Sequence, residues 1–441
     1  MTGSAAHNAV GIRGSHGIDQ APIQRQRRRA FFGANAGHAI EFYDYGVYGF
    51  LASAMAVNFF PSTDPVAGLL ASFAVFALSF FVRPIGGLIF GPLADRVGRK
   101  RTLLTVLLLM SGSTFLIGVL PNYEQVGLLA PLLLVVVRLL QGLSAGGEVG
   151  TAVAFVAEYA GPQRRGYSVS WLMLTAVLGF LVGSAVSNGL GAALGTDAIQ
   201  SWAWRIPFLL AGPLGVVAIY IRMKLEDSPV FRALEESGDV AKSPLRSALG
   251  VPRILGLTFS LIVMHASIFY LVSSYLPTHL RTIMGFDSGT ILWVSVAALI
   301  YAGLLMPICG HLSDRFDRRN LLLGAAIAGC FSMPAFFVFS PTASTFVFFL
   351  LLLALVTTFG FFSSSVNALL ADLIPAKMRA TVLAFSFNTP IALFGGTAPF
   401  ISTWLIQETG DVSSPAWYFL GTALVTTIGL LLIRKSDYIR A

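Results

Sequence analysis

The sequence predicts an all-α membrane protein with twelve transmembrane helices. Of its 441 residues, 55% are hydrophobic and 11% are charged, whereas an ordinary soluble domain has roughly 25% charged residues. The mean hydropathy is +0.76. Apolar runs recur along the chain, and a run of about 20 residues is long enough for a helix to cross a hydrocarbon core roughly 30 Å thick. The runs do not alternate between polar and apolar residues, as the strands of a transmembrane barrel do.

The apolar runs, taken in order, predict the individual spans. They lie at approximately residues 34–59, 67–91, 102–120, 128–159, 167–194, 205–222, 254–280, 289–310, 321–340, 345–373, 380–406 and 415–433. The longest polar interruption, residues 223–253, follows the sixth run and contains charged residues, proline and serine. It divides the chain into a first six-helix bundle at 34–222 and a second at 254–433, with tails at 1–33 and 434–441.

The basic residues predict how the helices cross the membrane. Lys and Arg concentrate on cytoplasmic loops near helix ends, and nearly all of the 29 basic residues share one side when both termini are placed in the cytoplasm. We therefore expect a multi-pass protein of a bacterial cytoplasmic membrane, in contact with its lipid. The net charge of +8 then reflects the basic loops that set the orientation of the helices in the membrane. Because the basic residues are spread over many loops, they argue against a nucleic-acid surface.

A repeated segment relates the two halves. GPLADRVGRK at 91–100 and GHLSDRFDRR at 310–319 each follow the second span of their half. Two six-helix halves related by duplication place a substrate site between them, near the bilayer midplane. We therefore expect two pseudo-symmetric bundles around a small-molecule site.

Several motifs resemble those of one transporter superfamily. GPLADRVGRKR resembles the signature loop between helices two and three of the major facilitator superfamily, and RLLQGLSAGG at 138–147 resembles its fourth-helix arginine motif. EFYDYGVYGF, FFVRPIGGLIFG, GGEVGTAVAFVAEYAGPQRRG and WAWRIPF resemble the metabolite:proton symporter family, which includes porters for proline and betaine, α-ketoglutarate, citrate and shikimate. The resemblance runs through nearly the whole chain after residue 33.

The resemblance implies a fold and an activity. The fold is that of the superfamily, in which two six-helix bundles rock around a central site. The activity is symport of a proton with a small organic acid or zwitterion, such as a carboxylate or a proline- or betaine-type osmolyte, which is imported by alternating access. The resemblance also implies a monomer that is not an enzyme and needs no cofactor besides the proton as coupling ion.

The resemblance assigns the repeated loops to a gate that locks the cytoplasmic side. Glycines permit a tight helix connection, and an aspartate can pair with a nearby arginine or face a helix N-terminus. The candidate gate residues are Gly91, Asp95, Arg96, Gly98, Arg99, Asp314 and Arg315. Asp317 stands where the first copy has Gly98, so the second copy departs from the pattern.

Acidic residues inside the predicted spans are the candidates for carrying the proton. Glu41 and Asp44 share one helix face, and Asp44 lies near the midplane at the depth of Arg138. A charge at that depth costs about 3 kcal/mol or more, so such residues pair or face a cavity. In several proton symporters of the superfamily a first-helix acid pairs with the fourth-helix arginine, and our hypothesis is that Asp44 takes the proton when Arg138 is drawn away. Glu41 and Glu148 are the alternative carriers, and a purely structural ion pair stays open.

Polar and aromatic residues near the predicted midplane are the candidates for binding substrate. Arg83 is deep enough to anchor an anion through a bidentate guanidinium, although it also stands at a helix break before Pro84. Arg205 could instead be an interfacial anchor, and His265 a packing residue. Aromatic side chains could hold a quaternary ammonium by cation–π contact. The candidates are Arg83, Arg138, Tyr45, Gln141, Arg205, Tyr270, His265 and Asn388.

Two other functions stay open, and an enzyme is disfavoured. A drug efflux antiporter typically has a Gly-Pro motif in its fifth helix, which LTAVLGFLVGS lacks, and a non-transporting receptor would bind a ligand without proton flux. GLSAG at 142–146 fits the hydrolase pattern G-x-S-x-G, but it lies inside a predicted membrane helix instead of a strand-to-helix turn. Cys309 and Cys330 are too few for a metal cluster.

Overall fold

Twelve long helices make up the computed structural model, which describes residues 20–60 and 65–438 and has no strand within those ranges. They are α1 Gln20–Phe59, α2 Pro65–Val97, α3 Arg99–Val119, α4 Leu129–Ala160, α5 Arg165–Leu194, α6 Arg205–Met223, α7 Pro252–Thr282, α8 Ser288–Arg315, α9 Arg318–Phe339, α10 Thr345–Leu373, α11 Ala376–Thr409 and α12 Pro415–Leu432. Helices α2 to α12 are long and apolar enough to cross a membrane. Helix α1 is also long enough but less apolar, because Asn35, His38, Glu41 and Asp44 interrupt it. The predicted fold class is confirmed.

The first helix and the central loop differ from the prediction. Helix α1 begins at Gln20 instead of near residue 34, and Arg13 lies outside the described residues. The central loop is not irregular throughout, because it contains two short helices at Pro229–Glu236 and Pro244–Leu249. Each of these begins with proline, whose fixed φ favours the first helical turn.

The predicted loop at 91–100 is mostly helical. Helix α2 continues to Val97 and α3 begins at Arg99, so the turn between them is Gly98 alone, at φ +106°. A residue with a side chain rarely adopts that conformation. Helix α8 likewise continues to Arg315. These helices extend beyond the apolar runs because their polar last turns contact the other half of the protein.

The helices form two bundles that meet through α2, α4 and α5 of the first and α8, α10 and α11 of the second. In the first bundle α1 packs on α5, α2 on α4 and α3 on α6, and in the second α9 and α7 pack on α12 and α8 on α10. Between the halves, α5 packs on α8 and α2 on α11. We call the end formed by the α2–α3, α4–α5, α8–α9 and α10–α11 turns the basic end.

A seam of small residues holds α2 close to α4. Gly142 and Gly146 lie one turn apart on α4, and a Cβ at these positions would come within 2.2 Å of the Ser79 carbonyl oxygen and 2.1 Å of the Arg83 carbonyl oxygen. Small residues at such spacing let two membrane helices approach closely. The seam therefore fixes the position of Arg83 relative to α4.

We expect Gly142→Val to destabilise the protein, because the added side chain has to push α2 away from α4. Overpacking of this kind costs about 1–3 kcal/mol, so the variant should melt at a lower temperature in detergent. Gly112→Val is the matched control, because a Cβ on this α3 glycine meets no described atom within 4 Å. Equal melting temperatures for the two variants would show that the seam is not under steric constraint.

Candidate functional site

A small cavity lies between the two bundles. It encloses about 30 Å³, and a water molecule needs about 10–15 Å³ by the same measure. A metabolite therefore enters only if the bundles separate. The wall consists of His38, Phe42, Arg83, Val149, Met173, Ala176, His265, Ala266, Phe269, Tyr270, Met306, Phe359, Ser363, Phe387 and Ile391.

Two polar residues of the cavity wall, one from α1 and one from α2, belong to a larger cluster of polar groups. His38, Glu41 and Tyr45 share one face of α1 because they are spaced three and four residues apart. The Tyr45 hydroxyl donates to Glu41 Oε1 at 3.1 Å, and Arg83 Nη2 donates to the same oxygen at 3.4 Å. His38 Nδ1 lies 3.6 Å from Glu41 Oε2. We call these four residues the charge cluster.

The guanidinium of Arg83 also lies over two aromatic rings. Its central carbon is 4.9 Å from the ring centre of Tyr45 and 4.6 Å from that of Phe80. Arg83 is only 2% exposed, so these rings and Glu41 replace part of its hydration. Arg83, a predicted anion anchor, thus stands on the cavity wall beside a carboxylate. His38 was not among the predicted residues, although its spacing from Glu41 placed it on the same face.

A second polar group surrounds Asp44 inside the first bundle. Arg138 Nη1 and Gln141 Nε2 each donate to Asp44 at 2.9 Å, one to each carboxylate oxygen. Gln141 also donates to the Thr114 hydroxyl at 2.8 Å, and Arg138 lies 3.5 Å above the centre of the Tyr48 ring. The predicted contact between Asp44 and Arg138 is present. The structure does not bring Asp44, Arg138 or Gln141 to the cavity wall. Tyr45 does not line it either, so direct substrate contact by Arg138, Gln141 and Tyr45 is not supported.

Glu148 forms a third ion pair, with an arginine that the sequence did not single out. Arg222 donates to both carboxylate oxygens of Glu148, at 2.7 and 3.4 Å. The same guanidinium donates to the carbonyl oxygens of Gly33, Ala34 and Leu103. Arg222 thereby joins α1, α3, α4 and α6, which suits a structural role for this pair better than proton transport.

Of the predicted substrate residues in the second half, two reach the cavity. His265 and Tyr270 line it, and His265 Nδ1 lies 3.0 Å from the Ser363 hydroxyl. Asn388 instead ties α11 to α4, because its side-chain amide donates to the Gly146 carbonyl oxygen at 2.7 Å. Phe42 of α1 and Phe269 of α7 meet edge to face across the bundle interface, with their ring centres 5.9 Å apart.

The predicted substrate role of Arg205 is not supported. Its guanidinium donates to the carbonyl oxygens of Gly118 and Leu120, at 3.1 and 2.6 Å, at the end of α3 opposite the basic end. Carbonyl groups at a helix C-terminus attract a cation. Arg205 also lies over the ring of Trp204 at 4.3 Å, so it is an anchor between helices and not part of the cavity.

At the basic end, Asp95 connects α2 to the start of α11. Its carboxylate accepts from the backbone N–H groups of Ala380 and Thr381 and from the Thr381 hydroxyl, at 2.7 to 3.2 Å. A carboxylate at a helix N-terminus is stabilised by the free N–H groups there. Arg99 binds Asp95 at 3.1 Å and Glu158 at 3.2 Å. Arg379 binds Glu158 at 3.0 Å. We call Asp95, Arg99, Glu158 and Arg379 the first latch.

The second copy forms the same arrangement. Asp314 accepts from the N–H groups of Gly166 and Tyr167 at the start of α5, at 2.7 and 2.8 Å, and binds Arg318 at 2.6 Å. Asp372 pairs with both Arg318 and Arg165. Asp314, Arg318, Asp372 and Arg165 form the second latch, which repeats the first with the halves exchanged.

Two predicted gate residues are not in the latches. Arg96 and Arg315 are exposed, and neither forms an ion pair with the described residues. The partner of Asp314 is Arg318 and not Arg315, because the chain turns at Phe316 and Asp317 and brings the start of α9 beside the end of α8. The sequence did not single out Glu158 and Asp372 as gate residues, nor Arg165 and Arg379, which follow them along the chain. Each of the two acids nevertheless stands alone at the end of a long apolar run.

The difference between Gly98 and Asp317 has a structural reason. Asp227, from the segment after α6, accepts from the N–H groups of Arg99 and Lys100 at 3.0 and 3.3 Å. A Cβ at Gly98 would lie 2.0 Å from this carboxylate, so glycine leaves the space that Asp227 fills. Asp317 caps its own helix by accepting from the N–H group of Asn320. Burial raises the pKa of Asp227, against the effect of the N–H donors.

Comparisons with known proteins agree on one family. The profile of the Major Facilitator Superfamily matches residues 35–389. A glycine betaine/proline/ectoine/pipecolic acid transporter of Dickeya dadantii is 34% identical over 415 residues, which cover 92% of this chain and 82% of that protein. The proline/betaine transporter of Escherichia coli K12 is 34% identical, with 91% and 82% covered. The solved proton:xylose symporter XylE, bound to 6-bromo-6-deoxy-D-glucose, superposes with a TM-score of 0.76 at 17% identity, covering 92% of this chain and 95% of that one.

We expect Asp95→Ala to loosen the contact between α2 and α11. The change removes the acceptor of two backbone N–H groups, and a hydrogen bond to a charged group contributes about 1.5–3 kcal/mol. Amide hydrogen exchange of residues 376–381 should therefore be at least about tenfold faster. Asp239→Ala is the matched control, because Asp239 is an exposed acid of the central loop. Unchanged exchange in Asp95→Ala would contradict the latch.

Proposed function

The chain belongs to the major facilitator superfamily, and we propose that it is a proton-coupled symporter that imports a small carboxylate-bearing zwitterion or organic acid. The observation that carries this proposal is the Arg83–Glu41 pair at the wall of the cavity between the bundles. Multi-pass transporters of this kind move their substrate by exposing a central site to each side in turn.

Competition for Arg83 would couple substrate to proton. A substrate carboxylate binds a guanidinium well because two N–H groups fit its two oxygens. It would displace Glu41, whose pair with Arg83 is long at 3.4 Å. A buried carboxylate without its cation gains protons more readily, so Glu41 would take one proton from water. Because such coupling is reciprocal, protonation of Glu41 would in turn strengthen substrate binding.

The aromatic residues of the cavity suit the other end of a zwitterion. Phe42, Phe269 and Tyr270 line the cavity near Arg83, and aromatic rings attract ammonium groups. Two relatives that are 34% identical are named as proline/betaine transporters. Proline and glycine betaine are therefore the first substrates to test.

The two latches would hold the cavity closed on the cytoplasmic side. We assign the basic end to the cytoplasm of a bacterial cell because Lys and Arg favour that side, which places both termini there, and we take the protein to act as a monomer in lipid. Opening towards the cytoplasm then requires Asp95 and Asp314 to leave the starts of α11 and α5. The conformation with closed latches is the one that admits substrate from outside.

A proteoliposome assay tests the function. Under an imposed inward proton gradient, we expect accumulation of labelled glycine betaine or proline and an accompanying alkalinisation of the medium. α-Ketoglutarate, citrate and shikimate serve as comparison substrates. No proton movement with any of the five would contradict the proposed substrate class, and export of hydrophobic cations would favour an efflux antiporter instead.

We expect Arg83→Gln to weaken uptake because the substrate carboxylate loses its cation. A charge-assisted hydrogen bond contributes about 1.5–3 kcal/mol, so the concentration for half-maximal uptake should rise roughly 10- to 100-fold. Arg281→Gln, at an exposed arginine of α7, is the control and should transport like the wild type. An equal loss of uptake in both variants would show that Arg83 has no specific role in binding the substrate.

We expect Glu41→Gln to separate transport from the proton gradient. The amide resembles a protonated carboxyl, so exchange of labelled for unlabelled substrate should continue while gradient-driven accumulation is lost. Glu408→Gln, at an exposed acid of α11, should behave as the wild type. If accumulation survives in Glu41→Gln and is lost in Asp44→Asn, the carrier is Asp44, as the sequence suggested.

A further inference from the structure

Four buried polar atoms of the charge cluster have no hydrogen-bond partner among the described residues. They are both ring nitrogens of His38, Oε2 of Glu41 and Nε of Arg83. His38 is only 1% exposed. Burying a polar group without a partner costs free energy, and most buried polar side chains have one. The cluster is therefore incomplete in this conformation.

The other two acids deep in the first bundle differ in this respect. Both carboxylate oxygens of Asp44 accept a hydrogen bond, one from Arg138 and one from Gln141. Both oxygens of Glu148 accept from Arg222. Of these three carboxylates, only that of Glu41 has an oxygen without a hydrogen-bond partner in the described part of the chain, and this oxygen lies 3.6 Å from His38 Nδ1.

We infer that His38 and Glu41 form one shared proton site, in which the transported proton lies between His38 Nδ1 and Glu41 Oε2. This inference rests on the proposed symport. The two atoms are 3.6 Å apart, and a charge-assisted hydrogen bond between them would be about 2.7–2.9 Å long. A movement of about 1 Å closes that gap. The i, i+3 spacing already places both side chains on one face of α1.

The charges around the pair account for the proton in the transport cycle. Without substrate, the charges of Arg83 and Glu41 cancel. A substrate carboxylate on Arg83 displaces Glu41 and leaves this carboxylate without its cation, and one proton from water, bound by the pair, neutralises it. When the substrate leaves on the other side, Glu41 returns to Arg83 and the proton leaves with the substrate.

Few other titratable groups face the pair. Helix α2 presents Arg83, and α7 presents His265 and Tyr270 across the cavity. Tyr45 of α1 itself donates to Glu41. Arg222 of α6 lies against Gly37, one turn before Glu41 on α1, and is already paired with Glu148 of α4. The described cavity residues of α5, α8, α10 and α11 have no titratable group. His38 is thus the imidazole nearest to Glu41 among the described residues.

Two measurements on the full chain test the inference. The first uses no substrate: histidine-labelled protein is titrated by NMR, and the chain has six histidines, so few ring signals need assignment. Either His38→Gln or His38→Asn identifies the His38 signal. We expect that Glu41→Gln moves the titration midpoint of this signal by at least about 1 pH unit. An identical titration in wild type and Glu41→Gln would overturn the shared site.

The second measurement follows proton uptake when glycine betaine or proline is added to protein in weak buffer near pH 7. We expect His38→Gln to take up less than half the protons per bound substrate that the wild type does, and His311→Gln, at an exposed histidine of α8, to match the wild type. If Glu41→Gln shifts the His38 titration but substrate causes no proton uptake, the symport proposal is wrong and the shared site remains supported. If His38→Gln takes up as many protons per bound substrate as the wild type, the shared site is wrong and the symport proposal remains supported.

Discussion

A buried arginine keeps its charge, so the protein has to neutralise it where it lies. Among the residues whose burial the structure describes, four arginines are at most 2% exposed: Arg83, Arg99, Arg138 and Arg222. Each is bound by a carboxylate from another helix. These pairs determine which helices of the first bundle stay together, because apolar packing is weakly selective between helices that all face lipid.

The pairs differ in how completely they are satisfied, and this difference separates structure from function. Arg222 donates to a carboxylate and to three backbone carbonyl oxygens. Loss of any of these partners would leave the buried guanidinium charge less well compensated. Arg83 has one long contact to Glu41 and two aromatic rings. A group that is held loosely can exchange its partner at low cost, which a transport site requires in every cycle. The latches are held more firmly, because Asp95 and Asp314 each accept from two backbone N–H groups at a helix start and also pair with an arginine.

The sequence predicted those contacts that follow from position along a helix. The pairing of Asp44 with Arg138 was predictable because the rise per residue places both at one depth. The pairing of Glu148 with Arg222 was not, because Arg222 stands at the end of an apolar run beside Lys224 and looks like a topology charge. Partners that come from the other half, such as Thr381 for Asp95, depend on how the two bundles dock. The sequence around Asp95 alone does not predict that docking.

The charges of the cavity also bear on the substrate. It has one fixed cation, Arg83, and one displaceable carboxylate, Glu41, so a single substrate carboxylate and a single proton leave the site neutral. A dicarboxylate or citrate would bring further negative charges, and the remaining bases that line the wall are His38 and His265. Holding those charges would require both imidazoles to be protonated as well. A zwitterion brings only one carboxylate, and the rings of Phe42, Phe269 and Tyr270 offer its ammonium group a cation–π contact. The charge balance therefore favours a substrate with a single carboxylate over the multiply charged acids.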